Sequence, residues 1–163
     1  MGSNVELLAG EFTRRSLTLA TAESLTGGRL GATITGVPGA SVFYLGGVVS
    51  YATAMKTRLL GVPEQLIADH TVISGEVAEA MAAGIRERTG ADWAAATTGV
   101  AGPDPQDGHA PGEVWVCVVG PAAGSVAGYT RVARYQFSGD RAAVREQTVA
   151  AAVEMLLQGV LRG

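Results

Sequence analysis

Lys56 is the only lysine in the chain, set against eleven arginines. It falls five residues after Tyr51, near the predicted start of a helix that follows a strand. A helix N-terminus disfavours an ammonium group, as burial does, and both lower a lysine's pKa. A lysine can therefore be tuned into a base near neutral pH, whereas an arginine cannot. Ser24 is the candidate nucleophile for such a base. It stands directly after a predicted strand, ahead of Gly27-Gly28 and a helix, so its hydroxyl projects beyond the strand end. The backbone N–H groups that follow it could stabilise an oxyanion. Each residue also has a plainer reading. Ser24 or Thr26 could simply cap the helix, Lys56 could be a chance survivor in an arginine-biased composition, and Tyr51 could pack with its hydroxyl at a rim. If catalytic, Tyr51 would orient Lys56 or relay a proton. Spacing alone leaves these alternatives open.

Other arrangements are poorer. The elbow G-x-S-x-G is absent, because Ala22 and Thr26 flank Ser24, and S-x-x-K is absent because residue 27 is glycine. No phosphate-binding G-x-x-x-x-G-K-[ST] occurs. Of the two histidines, His70 follows Asp69 and reads as a surface residue, while His109 sits in a long loop and could approach a ligand. The segment from Thr98 through Gly99 and Gly102 to Pro103 is either a backbone-donor loop for a phosphate or carboxylate, or a tight turn. Arg141 and Arg145, four apart, either clamp a phosphate or form a solvated face. Cys117 reads as a small buried strand residue and Met55 as core. Asp104 and Asp107 lack further ligands at metal-like spacing, so no metal site and no cofactor are expected.

These residues must be positioned by a regular scaffold. Asn4 is a candidate cap for a first helix with Val5, Leu8 and Phe12 on one side. Strands are predicted at residues 17–22, 46–51, 93–98, 114–119 and 129–137, and helices at 29–35 and 53–60. Gly61 suits the C′ position of the second helix, and Pro63 begins a short helical turn. Ser74 caps a longer helix with Val77, Met81 and Ile85 in step, and Ser138-Gly139-Asp140 caps a last helix running to about Leu161. Tyr129, Arg131, Ala133, Tyr135 and Phe137 share one strand face, and the last two strands are joined across a Pro-Ala-Ala-Gly turn at 121–124. Alternating helices and strands predict a three-layer α/β/α sandwich around a mixed, mostly parallel sheet. Ligands in such folds collect beyond the carboxyl ends of the strands. Residues 24–28, 51–56 and 98–102 meet there, with 138–141 as a fourth segment.

Composition narrows the class. The 163 residues suit one domain, 1–163, with Met1-Gly2-Ser3 set aside as a possible expression remnant or frayed end. Hydrophobic residues make up 47%, which excludes a disordered chain. A net charge of −3 argues against nucleic-acid or anionic-membrane binding. A single cysteine excludes an internal disulfide framework and favours a reducing compartment. No apolar run is long enough to span a bilayer, and no signal-peptide pattern opens the chain.

Taken in order, the motifs resemble the CinA C-terminal domain family. Thr21-Ala22-Glu23-Ser24-Leu25-Thr26-Gly27-Gly28 is similar to the family's A-E-S-x-T-G-G signature. It is followed by Gly46-Gly47-Val48-Val49-Ser50-Tyr51, Lys56, Leu60-Gly61-Val62, Val72-Ile73-Ser74, Thr98 to Pro103, and Phe137-Ser138-Gly139-Asp140-Arg141. The matches cover about Leu17 to Leu157. The resemblance implies a nicotinamide-nucleotide amidohydrolase: a cytoplasmic, metal-independent serine–lysine amidase acting on a small pyridine nucleotide, with a homodimer or higher homo-oligomer as its assembly. It implies Ser24 as nucleophile, Lys56 as its base and Tyr51 as an assisting residue. Thr26, Gly27, Gly28, Thr98, Gly99 and Gly102 would hold the nucleotide or oxyanion, with Arg141 and Arg145 as phosphate candidates. Two departures stand out. The family often reads Y-x-N-E-x-K where this chain has Tyr51-Ala52-Thr53-Ala54-Met55-Lys56, a change that could alter the positioning of the lysine and motivates the alternative of a non-catalytic nucleotide-binding module. A serine–lysine amidase for another small amide is the third reading. Many relatives also carry an N-terminal molybdopterin-binding-like domain, so this chain reads as a stand-alone form.

Overall fold

The computed structural model describes residues 2–122 and 128–163, with side-chain burial from residue 4 onward. The first helix, α1 (Gly2–Arg14), begins before the expected cap, so Asn4 lies inside it. Its extent follows its apolar face, since Val5, Leu8 and Phe12 are all buried. In folded proteins, packing of such a face stabilises a helix more than the cap does. There follow β1 (Leu19–Glu23), α2 (Arg29–Thr35), a short 3₁₀ turn at Ala40–Val42, β2 (Tyr44–Val49), α3 (Thr53–Leu60), α4 (Glu64–His70) and α5 (Gly75–Thr89). The chain then forms β3 (Trp93–Gly99), β4 (Glu113–Gly120), β5 (Tyr129–Gln136) and α6 (Arg141–Arg162). The α2 and α3 spans coincide with those predicted from the sequence. Ala123 and Gly124, in the predicted 121–124 turn, lie outside the described residues.

The sheet runs β2-β1-β3-β4-β5. β1 pairs parallel with both β2 and β3, whereas β4 is antiparallel to both β3 and β5. Among the described strands β4 alone runs against the others, which makes the sheet mixed, with two parallel and two antiparallel pairings. Helices α1, α2 and α6 cover one face, around Phe12, Leu30, Ile34, Val153 and Leu156. Helix α5, with Leu60 and Val62 at the end of α3, covers the other around Val77, Met81 and Ile85. The three-layer α/β/α sandwich follows, and each large buried apolar side chain contributes about 1.5–3 kcal/mol. The central strands carry small residues on both faces: Ala20 and Ala22 on β1, and Ala94, Ala95 and Ala96 on β3, are fully buried. Helices thus approach the sheet closely from either side.

Strand β2 begins two residues before the predicted start. Gly46-Gly47 lies in its middle, opposite Ala20 and Thr21. A Cβ on Gly47 would collide with the Thr21 hydroxyl and stand 2.7 Å from the Tyr44 hydroxyl, two groups that hydrogen-bond to each other at 2.7 Å. Gly47 is thus a packing requirement inside the strand, while Gly46 has open space beside it and a positive φ of 147°.

Caps close the long helices as expected. Ser74 Oγ accepts from the Val77 amide at 3.3 Å, and Asp140 Oδ1 accepts from the Ala143 amide at 2.9 Å. The arrangement brings the carboxyl ends of β1, β2 and β3 together with the start of α6.

Candidate active site

Ser24 follows β1 directly, and its position is fixed by the residue before it. Glu23 is nearly fully buried, and its carboxylate accepts from the amides of Gly28 (3.2 Å), Leu30 (2.9 Å) and Gly31 (3.0 Å). These are orphan donors at the opening of α2, so Glu23 folds the 24–28 turn back onto its own strand. Gly27 and Gly28, at φ of 57° and 102°, supply the left-handed turn that this requires. The Glu23 backbone carbonyl accepts from the Ser50 amide at 2.9 Å, tying the end of β2 alongside. Glu23 was missed as a site residue by sequence reasoning. Its signal was an acid placed shortly before a helix start.

Thr26 faces inward, sharing a 2.8 Å hydrogen bond with Thr97 in the core. Arg145 reaches from α6 to donate to the carbonyls of Leu25 (2.9 Å) and Thr26 (3.2 Å). The structure therefore places Thr26, Gly27, Gly28 and Arg145 around the back of the serine loop and outside the lining of the cavity before it. The sequence reading expects these residues at a substrate; here the side chain of Thr26 engages the core, and the guanidinium of Arg145 the loop backbone.

Ser24, Tyr51, Lys56, Thr98, Gly99, Gly102 and Arg141 do line one cavity, of about 570 Å³. Lys56 Nζ lies 3.0 Å from Ser24 Oγ, 2.7 Å from the Ser50 carbonyl and 3.4 Å from the Tyr51 carbonyl. It is 1% exposed, and among the described residues no carboxylate forms an ion pair with it. Burial therefore penalises the ammonium with no opposing charge, and the pKa falls from 10.5 to about 8. At pH 7 about a tenth of the molecules then carry a neutral amine, roughly 300 times the fraction for an ordinary lysine. A neutral Nζ can donate to the two carbonyls and turn its lone pair to the serine hydroxyl. That is the arrangement of a general base and its nucleophile.

The carbonyls that hold Lys56 come from backbone, at Ser50 and Tyr51. The side chains at Thr53 and Ala54, where the family often has Asn and Glu, are exposed and make none of these bonds. The departure noted in the sequence thus leaves the placement of the amine intact. Met55, expected in the core, is only partly buried. Tyr51 differs from its expected geometry: its exposed hydroxyl accepts from Arg141 Nη2 at 2.9 Å, and only its carbonyl reaches Lys56. Arg141 also donates to the Gly102 carbonyl at 2.7 Å, bridging the two rims of the cavity. The Thr98 hydroxyl is engaged with the Val72 carbonyl at 2.6 Å. Away from this site, Cys117 is buried in β4, and burial pushes its thiol up to about 12.

Residues 3–160 match the model of the CinA C-terminal domain. The chain belongs to that family. It is 46% identical over 151 residues to a nicotinamide-nucleotide amidohydrolase PncC of Pseudomonas putida, covering 91% of each chain. It is 45% identical over 150 residues to a CinA-like protein of Frankia casuarinae, where the match covers 92% of this chain but 33% of the relative. The chain thus spans about a third of the length of CinA-like relatives such as this one. A solved structure of a competence-damaged protein (CinA) superfamily protein from Klebsiella pneumoniae superposes with a TM-score of 0.91 at 31% identity, over 99% of this chain and 98% of that one. This CinA-family chain therefore shares both fold and sequence with proteins of its own size. No helix among the described residues is long and apolar enough to cross a membrane.

Proposed function

We propose that this protein hydrolyses the carboxamide of nicotinamide mononucleotide, giving nicotinate mononucleotide and ammonia. The observation that carries the reading is the 3.0 Å approach of a buried, unpaired Lys56 amine to the Ser24 hydroxyl at a cavity of nucleotide size. The name and full-length similarity of the Pseudomonas relative supply the substrate class.

In the proposed cycle, neutral Lys56 takes the Ser24 proton as Oγ attacks the carboxamide carbon. The carbonyl electrons move to oxygen, and the backbone N–H of Leu25, which follows Ser24 in the cavity lining, stabilises the oxyanion. Collapse of the tetrahedral adduct breaks the C–N bond, and the proton held on Nζ leaves with the nitrogen as ammonia. Water then gives a proton to Lys56 and attacks the acyl-enzyme, and collapse releases nicotinate mononucleotide and returns the proton to Ser24. Arg141 offers its guanidinium to the phosphate at the rim, with Thr98, Gly99 and Gly102 forming the wall beside it. Tyr51 assists through its carbonyl on Lys56 and its hydroxyl on Arg141. The working unit in this reading is a cytoplasmic homo-oligomer. The oligomer is supported by the edge of β2, where Leu45 and Val49 are exposed beside Val42 of the preceding turn, within a charge-free run from residue 30 to 55.

Ammonia release from nicotinamide mononucleotide tests the chemistry. Wild type is expected to turn over, while Ser24→Ala and Lys56→Arg lose at least ~10³-fold in kcat/KM. Arginine retains the charge but cannot take a proton at working pH. Turnover by wild type no faster than by both variants, with nucleotide still bound, would instead identify a binding module. Equal rates on nicotinamide and on its nucleotide would remove the nucleotide specificity.

A further inference from the structure

The wall of the cavity beyond Thr98 is a segment without regular structure, from Val100 to Gly112, whose stretch Val100–Gln106 faces the cavity. Such a long loop keeps a fixed shape only if side chains hold it. One hold is already described: Arg141 on the Gly102 carbonyl. Gln136 Nε2 donates to the Pro111 carbonyl at 2.9 Å near the end of the segment, and His109 holds its tip. Gln106 and His109 exchange backbone hydrogen bonds at 3.0 and 2.8 Å, closing the tip of the segment. Beyond that tip, the His109 imidazole spans two separate parts of the fold. Its Nε2 lies 2.9 Å from the Thr71 hydroxyl in the α4–α5 connection, and its Nδ1 lies 2.9 Å from Glu113 Oε2 at the start of β4.

Hydroxyl, imidazole and carboxylate in a row resemble a catalytic triad, but the surroundings assign them another task. The cavity lining passes through Val72 and Gln106 and leaves Thr71 outside. The Thr71 hydroxyl also accepts from the Ile73 amide at 3.3 Å, which uses it within its own turn. Glu113 is 8% exposed and takes further hydrogen bonds from Trp115 Nε1 (3.0 Å) and Arg134 Nη2 (3.2 Å). The carboxylate is thus a fixed post, and the imidazole is the link from that post to the loop.

We propose that His109 is a positioning residue for the amide hydrolysis proposed above: it latches the Val100–Gln106 wall in its substrate-accepting shape. The latch works in either protonation state. A neutral ring donates from Nδ1 to Glu113 and accepts from Thr71 at Nε2, whereas a charged ring donates through both nitrogens. Lys56 and Ser24 are held by other elements, so the latch governs binding and leaves bond breaking unchanged. A loosened wall lowers the fraction of molecules competent to bind, and apparent affinity falls in proportion.

Kinetics on nicotinamide mononucleotide decide the matter. His109→Ala is expected to raise KM by about tenfold with kcat within about twofold. His109→Gln, whose amide reaches the Nε2 position and can engage Thr71, is expected to recover part of that loss. An unchanged KM would overturn the proposal, and so would kcat falling in step with thermal stability, which marks a general structural role. If wild type itself releases no ammonia, the functional reading fails separately. Amide exchange then judges the latch: faster exchange in His109→Ala confined to residues 102–110 supports it, and unchanged exchange there overturns it.

Discussion

Lys56 and Glu113 are both charged residues withdrawn from water, and their surroundings treat them in opposite ways. Around Glu113, burial pushes the carboxyl's pKa up, but hydrogen bonds from Trp115, His109 and Arg134 outweigh this and hold it below the usual carboxylate range. The charge is compensated, and the residue ties β4, β5 and the 100–112 loop together. Around Lys56, two carbonyls and a hydroxyl but no carboxylate are supplied among the described residues, so burial dominates and the amine is driven toward neutrality. A compensated buried charge braces a structure, whereas an uncompensated one is available for proton transfer. The serine–lysine pair sits where the fold left a charge without a partner.

Breaking the compensated side has the largest expected effect on stability. Glu113→Ala leaves the Trp115 N–H without its acceptor and releases both His109 and Arg134. We expect a loss of about 2–4 kcal/mol, discounted toward the lower figure because Arg134 is half exposed, read by denaturant unfolding. A change under about 0.5 kcal/mol would show that Glu113 is no brace.

The uncompensated side should respond with the opposite sign. The folded pKa of Lys56 lies below its unfolded value, so the unfolded chain binds the proton more tightly between about pH 8 and 10.5. Burial of the ammonium therefore destabilises the fold by about 3 kcal/mol below pH 8, and this penalty fades as pH rises toward 10.5. Lys56→Met is expected to be more stable than wild type at pH 7 by about 1–3 kcal/mol, with the gap closing at pH 10. A variant less stable than wild type at pH 7 would mean that the ammonium is well satisfied in place.

The smallest effect is expected where the sequence departs from its family. Because backbone carbonyls hold Nζ, restoring Asn and Glu through Thr53→Asn with Ala54→Glu should change kcat/KM by less than about threefold. A gain of tenfold or more would assign those side chains a part in the chemistry that the present contacts do not give them.

Much of this architecture was legible in the residues. Periodicity and turn chemistry placed α2 and α3 at their observed spans, because Gly28 and Gly61 punctuate them with positive φ. The convergence of Ser24, Tyr51, Lys56, Thr98 and Arg141 followed from their places at strand ends and a helix start in an α/β sandwich. What the sequence could not show was direction. Nothing local reveals that Thr26 turns to Thr97, that Arg145 turns to the serine loop's carbonyls, or that the Tyr51 hydroxyl points to Arg141. Each depends on a partner dozens of residues away. The Glu113 cluster was hidden for the same reason, since Thr71 and Arg134 come from stretches far from the His109–Glu113 segment. The start of β2 differs from its predicted place because Gly46-Gly47 resembles a boundary, although at Gly47 close contact with Thr21 and Tyr44 is what demands glycine.

The solitary lysine makes the central claim open to direct measurement. With ¹³C-labelled lysine the protein gives one lysine Cε signal, so its pH titration reports Lys56 alone. The account predicts a midpoint near 8 in the wild type, set by burial beside Ser24. A midpoint near 10.5, the ordinary value for a solvated lysine, would contradict it.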